Sequence, residues 1–298
     1  MTRITRRDFA RLLAATILAR PAFAQTSKVP PITRAIPSTG ERVPVVGLGT
    51  ARVFDNDDAQ TRRAAAEVVR TLVDAGGRLV DTASTYGDAE SVLGNVISAA
   101  DLRDRIFLAT KLEEPDPAEL ERSLARLKTR KLDLLQLHNV RDPRQSLAQF
   151  KAWKAQGICR YIGITSTFHG DFAAVEAVLG REKPDFVQID YSLDNRTAEE
   201  RILPIAAEVK AGVLTALPFG RGRLFRAVRG KALPDWAQSF AGSWAQFFLK
   251  YLIAEERVTA VIPGTSNPAH MADNLGAMRG RLPDPDQRKR MVAFIAKI

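Results

Sequence analysis

The chain has 298 residues, 45% of them hydrophobic, and a formal net charge of +10 from 44 basic and 34 acidic side chains. This is enough apolar material for one large core without a bias toward disorder. The single cysteine, Cys159, rules out an internal disulfide and argues against a thiolate zinc cage, and His138, His169 and His270 have no metal-binding spacing, so no metal site is expected. Basic and acidic residues interleave along helical patterns, which reads as a solvated surface and not as a nucleic-acid interface.

The first 24 residues, MTRITRRDFARLLAATILARPAFA, have a basic start, an apolar middle and a small-residue end at Ala22-Phe23-Ala24, the layout of an export signal. Arg3, Arg6, Arg7, Arg11 and Arg20 against Asp8 give this stretch +4 and leave +6 for the rest. The segment RRDFARLL resembles a twin-arginine signal. That resemblance implies cleavage near Ala24 and export of the folded protein, cofactor already in place, to the periplasm by the twin-arginine machinery. The apolar run is too short and too weakly apolar for a stable membrane span. A cytosolic amphipathic helix is the alternative.

Residues 25–40 form a Pro-containing segment leading into a hairpin, where two short apolar runs flank Ser38-Thr39-Gly40. From residue 41 to 298 strands and helices alternate. VVGLGT ends a first strand at Thr50, and a helix follows with Asp58 as a possible N-cap and Gly76 near its end. RLVDTA, IFLATK and LDLLQLHN are the next strands, separated by helices over about 88–100 and 117–129, with another helix reaching about Gln156. YIGITS, FVQIDYS, VLTALP and AVIPGT follow, each succeeded by a helical stretch. Eight short strands rich in Val, Ile and Leu, without polar alternation, are expected to be buried on both faces. Eight strand–helix units in one domain of this length predict an α/β fold, a (β/α)8 TIM barrel with a short N-terminal β-hairpin. A doubly wound sheet would favour GxGxxG after its first strand, and GLGTAR lacks the third glycine.

In such a barrel the reactive groups sit at the carboxyl ends of the strands. Asp81 ends the second strand with Tyr86 in the loop beyond it, Lys111 ends the third, and His138 ends the fourth. Each has a dull explanation alone: a helix cap, a solvated amine, a core histidine. Together at neighbouring strand ends they would point into one mouth. Reduction of a carbonyl by hydride transfer leaves an alkoxide that needs a proton. A tyrosine is a poor acid at neutrality, its unperturbed pKa being about 10, and a neighbouring ammonium favours the phenolate. Lys111 can supply that charge, Asp81 can hold Lys111, and His138 can orient the substrate oxygen or relay the proton.

DTASTYG, ATK and LLQLH, in this order, resemble the Asp–Tyr–Lys–His tetrad of the aldo-keto reductases, and the likeness runs from about Arg42 to Asn274. It implies a nicotinamide dinucleotide across the barrel mouth and a small carbonyl substrate, with Tyr86 as acid/base, Lys111 and Asp81 as its tuners and His138 as the orienting group. It also places Thr50 beside the nicotinamide, and Thr165, Ser166 and Gln188 at its carboxamide. The loop LPFGRGRLF, with Leu217, Phe219, Gly220 and Arg221, would fold over the pyrophosphate, with Gly222 and Arg223 assisting. Gly264, Thr265, Ser266 and Asn274 would cradle the adenosine end. Two departures stand out: Ala216 occupies the position of a stacking tyrosine, so that Phe219 or another aromatic substitutes or the ring is held less firmly, and Gly264 and His270 replace a lysine and an arginine that grip the 2′-phosphate. NADP(H) is the expected cofactor and NAD(H) the alternative. The competing function is a nucleotide-binding sensor or regulatory barrel without turnover. Substrate selection is expected in the loops 52–57, 139–144 and 226–244, where Trp236, Phe240 and Trp244 either line an apolar pocket or pack against the seventh helix.

Overall fold

The protein is described by a computed structural model covering residues 29–298. The leader over residues 1–24, its cleavage point at Ala24 and residues 25–28 of the segment 25–40 lie outside the described residues. Contacts divide the chain into Met1–Pro30 and Pro31–Ile298, and the second unit is the one described below.

It opens with an antiparallel pair, β1 (Thr33–Ala35) and β2 (Arg42–Pro44). Thr39 and Gly40 both donate backbone N–H to the Ile36 carbonyl in the turn between them, and Gly40 has φ +77°. Eight parallel strands follow: β3 (Leu48–Gly49), β4 (Leu79–Asp81), β5 (Phe107–Leu112), β6 (Leu132–Leu137), β7 (Cys159–Ser166), β8 (Phe186–Asp190), β9 (Gly212–Ala216) and β10 (Ala260–Val261). Each pairs in register with the next. Parallel bridges Val46–Val261 and Gly49–Gly264 close β3 onto β10, with Gly47 N–H donating to Val261 O at 2.8 Å. Gly49 is required there, because a β-carbon would sit 2.9 Å from the Ile262 carbonyl. This is the (β/α)8 barrel that the strand count predicts.

The helices packed around the barrel are α1 (Ala59–Asp74), α2 (Ala89–Ala99), α3 (Pro117–Arg126), α4 (Ala148–Ala155), α5 (Phe172–Glu182), α6 (Thr197–Glu200), α7 (Ile202–Glu208), α8 (Arg223–Ala227), α9 (Trp244–Ile253), α10 (Pro268–Gly276) and α11 (Pro285–Ile295). Asp58 caps α1 by accepting from Thr61 N–H at 2.7 Å, as its position before an apolar-periodic run predicts.

Two layers of core explain why the strands lack polar alternation. Leu79, Phe107, Ala109, Leu134, Tyr161, Phe186 and Leu214 fill the barrel interior, while the intervening residues pack outward against the helices. Ile36 and Val43 of the hairpin join the inner group, and Thr39 and Glu41 hydrogen-bond the Tyr161 hydroxyl at 2.9 and 2.7 Å. The hairpin therefore plugs the amino-terminal end of the barrel and leaves the other mouth for chemistry.

The last helix is fastened at both levels. Asp284 accepts from Gln287 N–H at 2.8 Å while the Gln287 side chain accepts from Asp284 N–H at 3.1 Å, a reciprocal cap with Pro285 at the first position. Asp284→Ala is expected to lower unfolding free energy by about 1 kcal/mol in urea titration without changing the barrel.

Candidate active site

Side-chain parity assembles the site. Residues two apart on a strand face the same way. Leu79, Ala109, Leu134 and Phe186 point into the barrel, so Asp81, Lys111, Gln136 and Gln188 form the next layer toward the carboxyl mouth. His138 follows two residues after Gln136, just past the end of β6, and Tyr86 reaches in from the loop between β4 and α2.

The layer is tightly bonded. Lys111 Nζ donates to Asp81 Oδ2 at 2.5 Å and to the Thr82 carbonyl at 2.7 Å. Gln136 Nε2 donates to Asp81 Oδ1 at 3.1 Å, and Gln188 Nε2 to Asp81 Oδ2 at 3.3 Å. Asp81 and Lys111 are 2% and 1% exposed, so the pair is shielded from water. Burial alone pushes the Lys111 amine down, but its interactions with Asp81 and Tyr86 outweigh that and hold it above the ordinary lysine value. It is an ammonium at physiological pH, and its Nζ lies 5.0 Å from the centre of the Tyr86 ring. Gln136 is a part of this site that the sequence reading missed; its place two residues before His138 in LLQLH is the signal that would have revealed it.

The Tyr86 and His138 rings meet edge to face with centroids 5.7 Å apart. His138 Nδ1 lies 2.5 Å from Glu113 Oε1. Burial first, then the positive charges of Lys111 and Arg141, push the imidazole down to about 3. The ring is neutral near pH 7. Its folded value lies below the unfolded one of about 6.5, so its contribution to stability is complete above that pH and is lost as pH falls toward 3. Urea titrations at pH 7 and 5 are expected to show a smaller acid-side loss in His138→Asn than in the native chain; equal losses would contradict the buried neutral ring.

Above these residues lies a cavity of about 780 Å³, within the range of small-molecule and cofactor sites. Asp81, Tyr86, Lys111 and His138 all line it. So do Thr50, Thr165, Gln188 and Gly264, together with Leu217, Phe219 and Arg221 of the loop after β9. Among the described residues, Thr50 Oγ1 and Gln188 Oε1 are buried without a hydrogen-bond partner. Their unspent capacity suits a bound amide or hydroxyl. In the loop after β9, Leu217, Gly220, Arg221 and Gly222 all have left-handed backbone, with φ of +54°, +55°, +52° and +81°. The positive φ at 220 favours glycine, and a β-carbon there would press on the side-chain ends of Asp194 and Arg223 at 2.9 Å.

Five of the expected cofactor residues stand outside the cavity wall. The Ser166 hydroxyl donates to Asp171 Oδ2 at 3.0 Å and accepts from Phe168 N–H at 3.2 Å, serving the turn after β7. Gly220 is buried behind its loop against Asp194. Thr265 Oγ1 accepts from Asn267 N–H at 3.1 Å, Ser266 is exposed beside it, and Asn274 is buried on α10. Thr265 and Ser266 precede the amino end of α10, which Asn267 caps by accepting from Ala269 N–H at 2.8 Å, while Asn274 lies in its last turn.

Ala216 lines the cavity, and Phe219 packs on Phe225 and Phe248 with centroids 4.8 and 6.5 Å away. Trp236, Phe240 and Trp244 do not line it. Trp236 and Trp244 sandwich Phe247 of α9 and Phe294 of α11, which settles their role as helix packing. Of the variable loops, that after β3 contributes Arg52 and Asp55. Among the described residues there is no cluster of potential metal ligands and no helix long and apolar enough to cross a membrane.

The aldo/keto reductase family model matches residues 45–294. A methylglyoxal reductase of Escherichia coli K12 is 28% identical over 252 residues, covering 80% of this chain and 87% of the relative. An uncharacterized oxidoreductase of Bacillus subtilis 168 is 31% identical over 252 residues, covering 74% of each. Among solved structures, an aldo/keto reductase from Klebsiella pneumoniae in complex with NADP and acetate superposes with a TM-score of 0.75 at 25% identity, covering 89% of this chain and 95% of that one. With the closed eight-stranded barrel, and with Asp81, Lys111 and His138 at the carboxyl ends of its second, third and fourth parallel strands and Tyr86 in the loop after the second meeting in one mouth, this chain belongs to the aldo/keto reductase family.

Proposed function

We propose that the protein is an NADP(H)-dependent reductase that converts a small aldehyde or ketone to the alcohol, with Tyr86 as the general acid. The observation that carries this reading is the convergence of Tyr86, the buried Lys111–Asp81 pair and His138 on one cavity. When bound, the reduced nicotinamide supplies a hydride to the carbonyl carbon. The Tyr86 hydroxyl gives its proton to the carbonyl oxygen. The Lys111 ammonium favours the negative charge that then develops on the phenol oxygen, and Asp81 keeps that ammonium in place. Positioned proton transfer of this kind is worth roughly 10²–10⁴ in rate.

The residues present fit the cofactor. Gln188 Oε1 and Thr50 Oγ1 are unpaired atoms that would meet the nicotinamide end, with Thr165 paired beside Gln188 on the neighbouring strand. Leu217, Phe219, Gly220 and Arg221 would hold the pyrophosphate. Gly264, Thr265 and Ser266 would hold the adenosine end near the start of α10, a favourable place for phosphate, with Asn274 reaching it from the last turn of that helix. The NADP complex of the Klebsiella relative supports NADP(H) over NAD(H), and the named substrate of the Escherichia relative supports a small carbonyl compound. The RRDFARLL leader supports a cleaved signal over residues 1–24, export of the barrel domain 41–298 in folded form by the twin-arginine machinery, and a periplasmic location.

The protein lacking residues 1–24 is expected to oxidise NADPH when offered 4-nitrobenzaldehyde, and to do so faster than it oxidises NADH. Tight NADPH retention without turnover across a panel of aldehydes and ketones would replace this reading with a nucleotide sensor. Replacing Arg6 and Arg7 by lysine in the full chain is expected to hold the protein in the cytoplasm on cell fractionation; unchanged export would remove the twin-arginine route.

A further inference from the structure

We propose that Gln136 is a positioning residue for the proton transfer: by holding one oxygen of Asp81 it orients the carboxylate that keeps the Lys111 ammonium on Tyr86. The inference rests on the reductase reading above and adds to it a residue that touches neither substrate nor the reacting atoms.

Gln136 stands on β6, in register with Lys111 of β5 on one side and Gly163 of β7 on the other. Asp81 is one strand further, on β4. The Gln136 amide passes across β5 to bring its Nε2 within 3.1 Å of Asp81 Oδ1. Gly163 makes the room. It faces inward, two residues after Tyr161, and a β-carbon there would lie 3.0 Å from Gln136 Cγ and 3.1 Å from the Phe186 carbonyl oxygen.

The amide is used at one end only. An ionised carboxylate only accepts, so Nε2 is the end that meets Asp81. Oε1 is left buried, and among the described residues it has no hydrogen-bond partner. A buried acceptor without a donor is costly, and an apolar side chain in the otherwise apolar end of LDLLQL would avoid that cost. What the amide provides in return is its bond to Asp81.

That bond bears on Tyr86 through two steps. Asp81 Oδ2 accepts from Lys111 Nζ at 2.5 Å, with Gln188 sharing it at 3.3 Å, while Oδ1 has Gln136 alone among the described residues. Two of the three Lys111 N–H groups go to Asp81 and to the Thr82 carbonyl. The third is left for Tyr86, whose ring centre lies 5.0 Å from Nζ. Without Gln136, Oδ1 loses its donor, and the carboxylate turns and draws harder on the Lys111 proton. The positive charge facing the phenol weakens, and Tyr86 gives up its proton less readily.

The other charged groups near Tyr86 are His138, with Glu113 and Arg141 acting on its ring. Arg52, Asp55 and Arg221 stand on the cavity wall, where β7 and β8 add the uncharged Thr165 and Gln188. All of these are kept in the variants below.

Gln136→Met fills the same space with an unbranched apolar chain. It is expected to lower kcat for 4-nitrobenzaldehyde reduction about tenfold, the lower end for one hydrogen bond to a charged group, with KM and NADPH affinity unchanged. The alkaline fall in kcat is expected about one pH unit above the native one, because a weaker acid keeps its proton longer. Gly163→Ala keeps the amide but crowds Gln136 Cγ, and a smaller shift in the same direction is expected. The position of a pH limb does not depend on how much of the protein is active, so partial misfolding does not obscure it. An unmoved limb in Gln136→Met overturns the proposal, as does a raised KM at unchanged kcat, which would make Gln136 a binding residue. Should Gln136→Met yield no folded protein, an unmoved limb in Gly163→Ala overturns it instead.

A second readout needs no turnover. The chain has four tyrosines, and the step in tyrosinate absorbance that is missing from Tyr86→Phe belongs to Tyr86. In Gln136→Met that step is expected to move to higher pH together with the activity limb. Failure of the native protein to reduce any carbonyl would strike the reductase reading, and the absorbance step would still decide whether Gln136 acts on Tyr86.

Discussion

Tyr86→Phe is expected to lower kcat/KM for any carbonyl substrate by roughly 10²–10⁴, the value of a positioned proton donor. The substitution removes one oxygen and nothing else of note. The ring keeps its edge contact with His138 and its place 5.0 Å from the Lys111 ammonium. Tyr86 is half-buried at the mouth and not part of the sealed interior, so stability should change by no more than about 1 kcal/mol, the net worth of a typical hydrogen bond. NADPH affinity, measured by fluorescence titration, should be nearly unchanged, because the cofactor contacts assigned above come from other strands. Steady-state kinetics therefore separate the acid from every structural role. A variant that retains activity within a factor of ten would show that the proton comes from elsewhere, and His138 or solvent would have to be reconsidered.

The features legible in the sequence are those set by short-range rules. Asp58 before an apolar helical pattern gives the α1 cap, Ser38-Thr39-Gly40 gives the hairpin, and eight apolar runs between helices give the barrel. The tetrad is legible because Asp81, Lys111 and His138 sit at strand ends, where a polar residue after an apolar run is conspicuous, and Tyr86 follows in the loop after the first of them. Gln136 is not, since it lies inside the run LDLLQL and is marked out by the inward parity it shares with Leu134 and His138. Glu113 is hidden for another reason. It joins His138 across two adjacent strands, 25 residues apart in sequence, and a glutamate in a polar loop looks like any solvated side chain. The choice between pocket and packing for Trp236 and Trp244 turns on Phe294, far along the chain on α11, a helix the strand–helix count alone does not single out. Ser166 shows a finer limit. Its type and position suit a ligand, but Asp171 and Phe168, a few residues on, already engage its hydroxyl.

The largest stability effect should come from Lys111→Met, and it should be reversible by a second change that does not restore activity. Removing the amine leaves Asp81 as a carboxylate 2% exposed to solvent, with only the amides of Gln136 and Gln188, among the described residues, donating to it. Breaking one side of a buried ion pair typically costs about 3–5 kcal/mol, because the remaining charge is uncompensated. Asp81→Asn in the Lys111→Met background removes that charge, and unfolding free energy in urea should return to near the native value. Catalysis should not return, since it requires the ammonium itself beside Tyr86. The native pair contributes stability throughout the physiological range: Lys111 is held above its ordinary value near 10.5, so its share is complete below that pH and is lost only as pH rises through the folded value. An activity decline between pH 7 and 9 in the native enzyme therefore cannot be assigned to this amine. If the double variant recovers both stability and turnover, Lys111 is a structural counter-ion and the proposed tuning of Tyr86 fails. If it recovers stability alone, charge in this layer is maintained for the chemistry at the mouth, at the expense of an ion pair that the fold could replace.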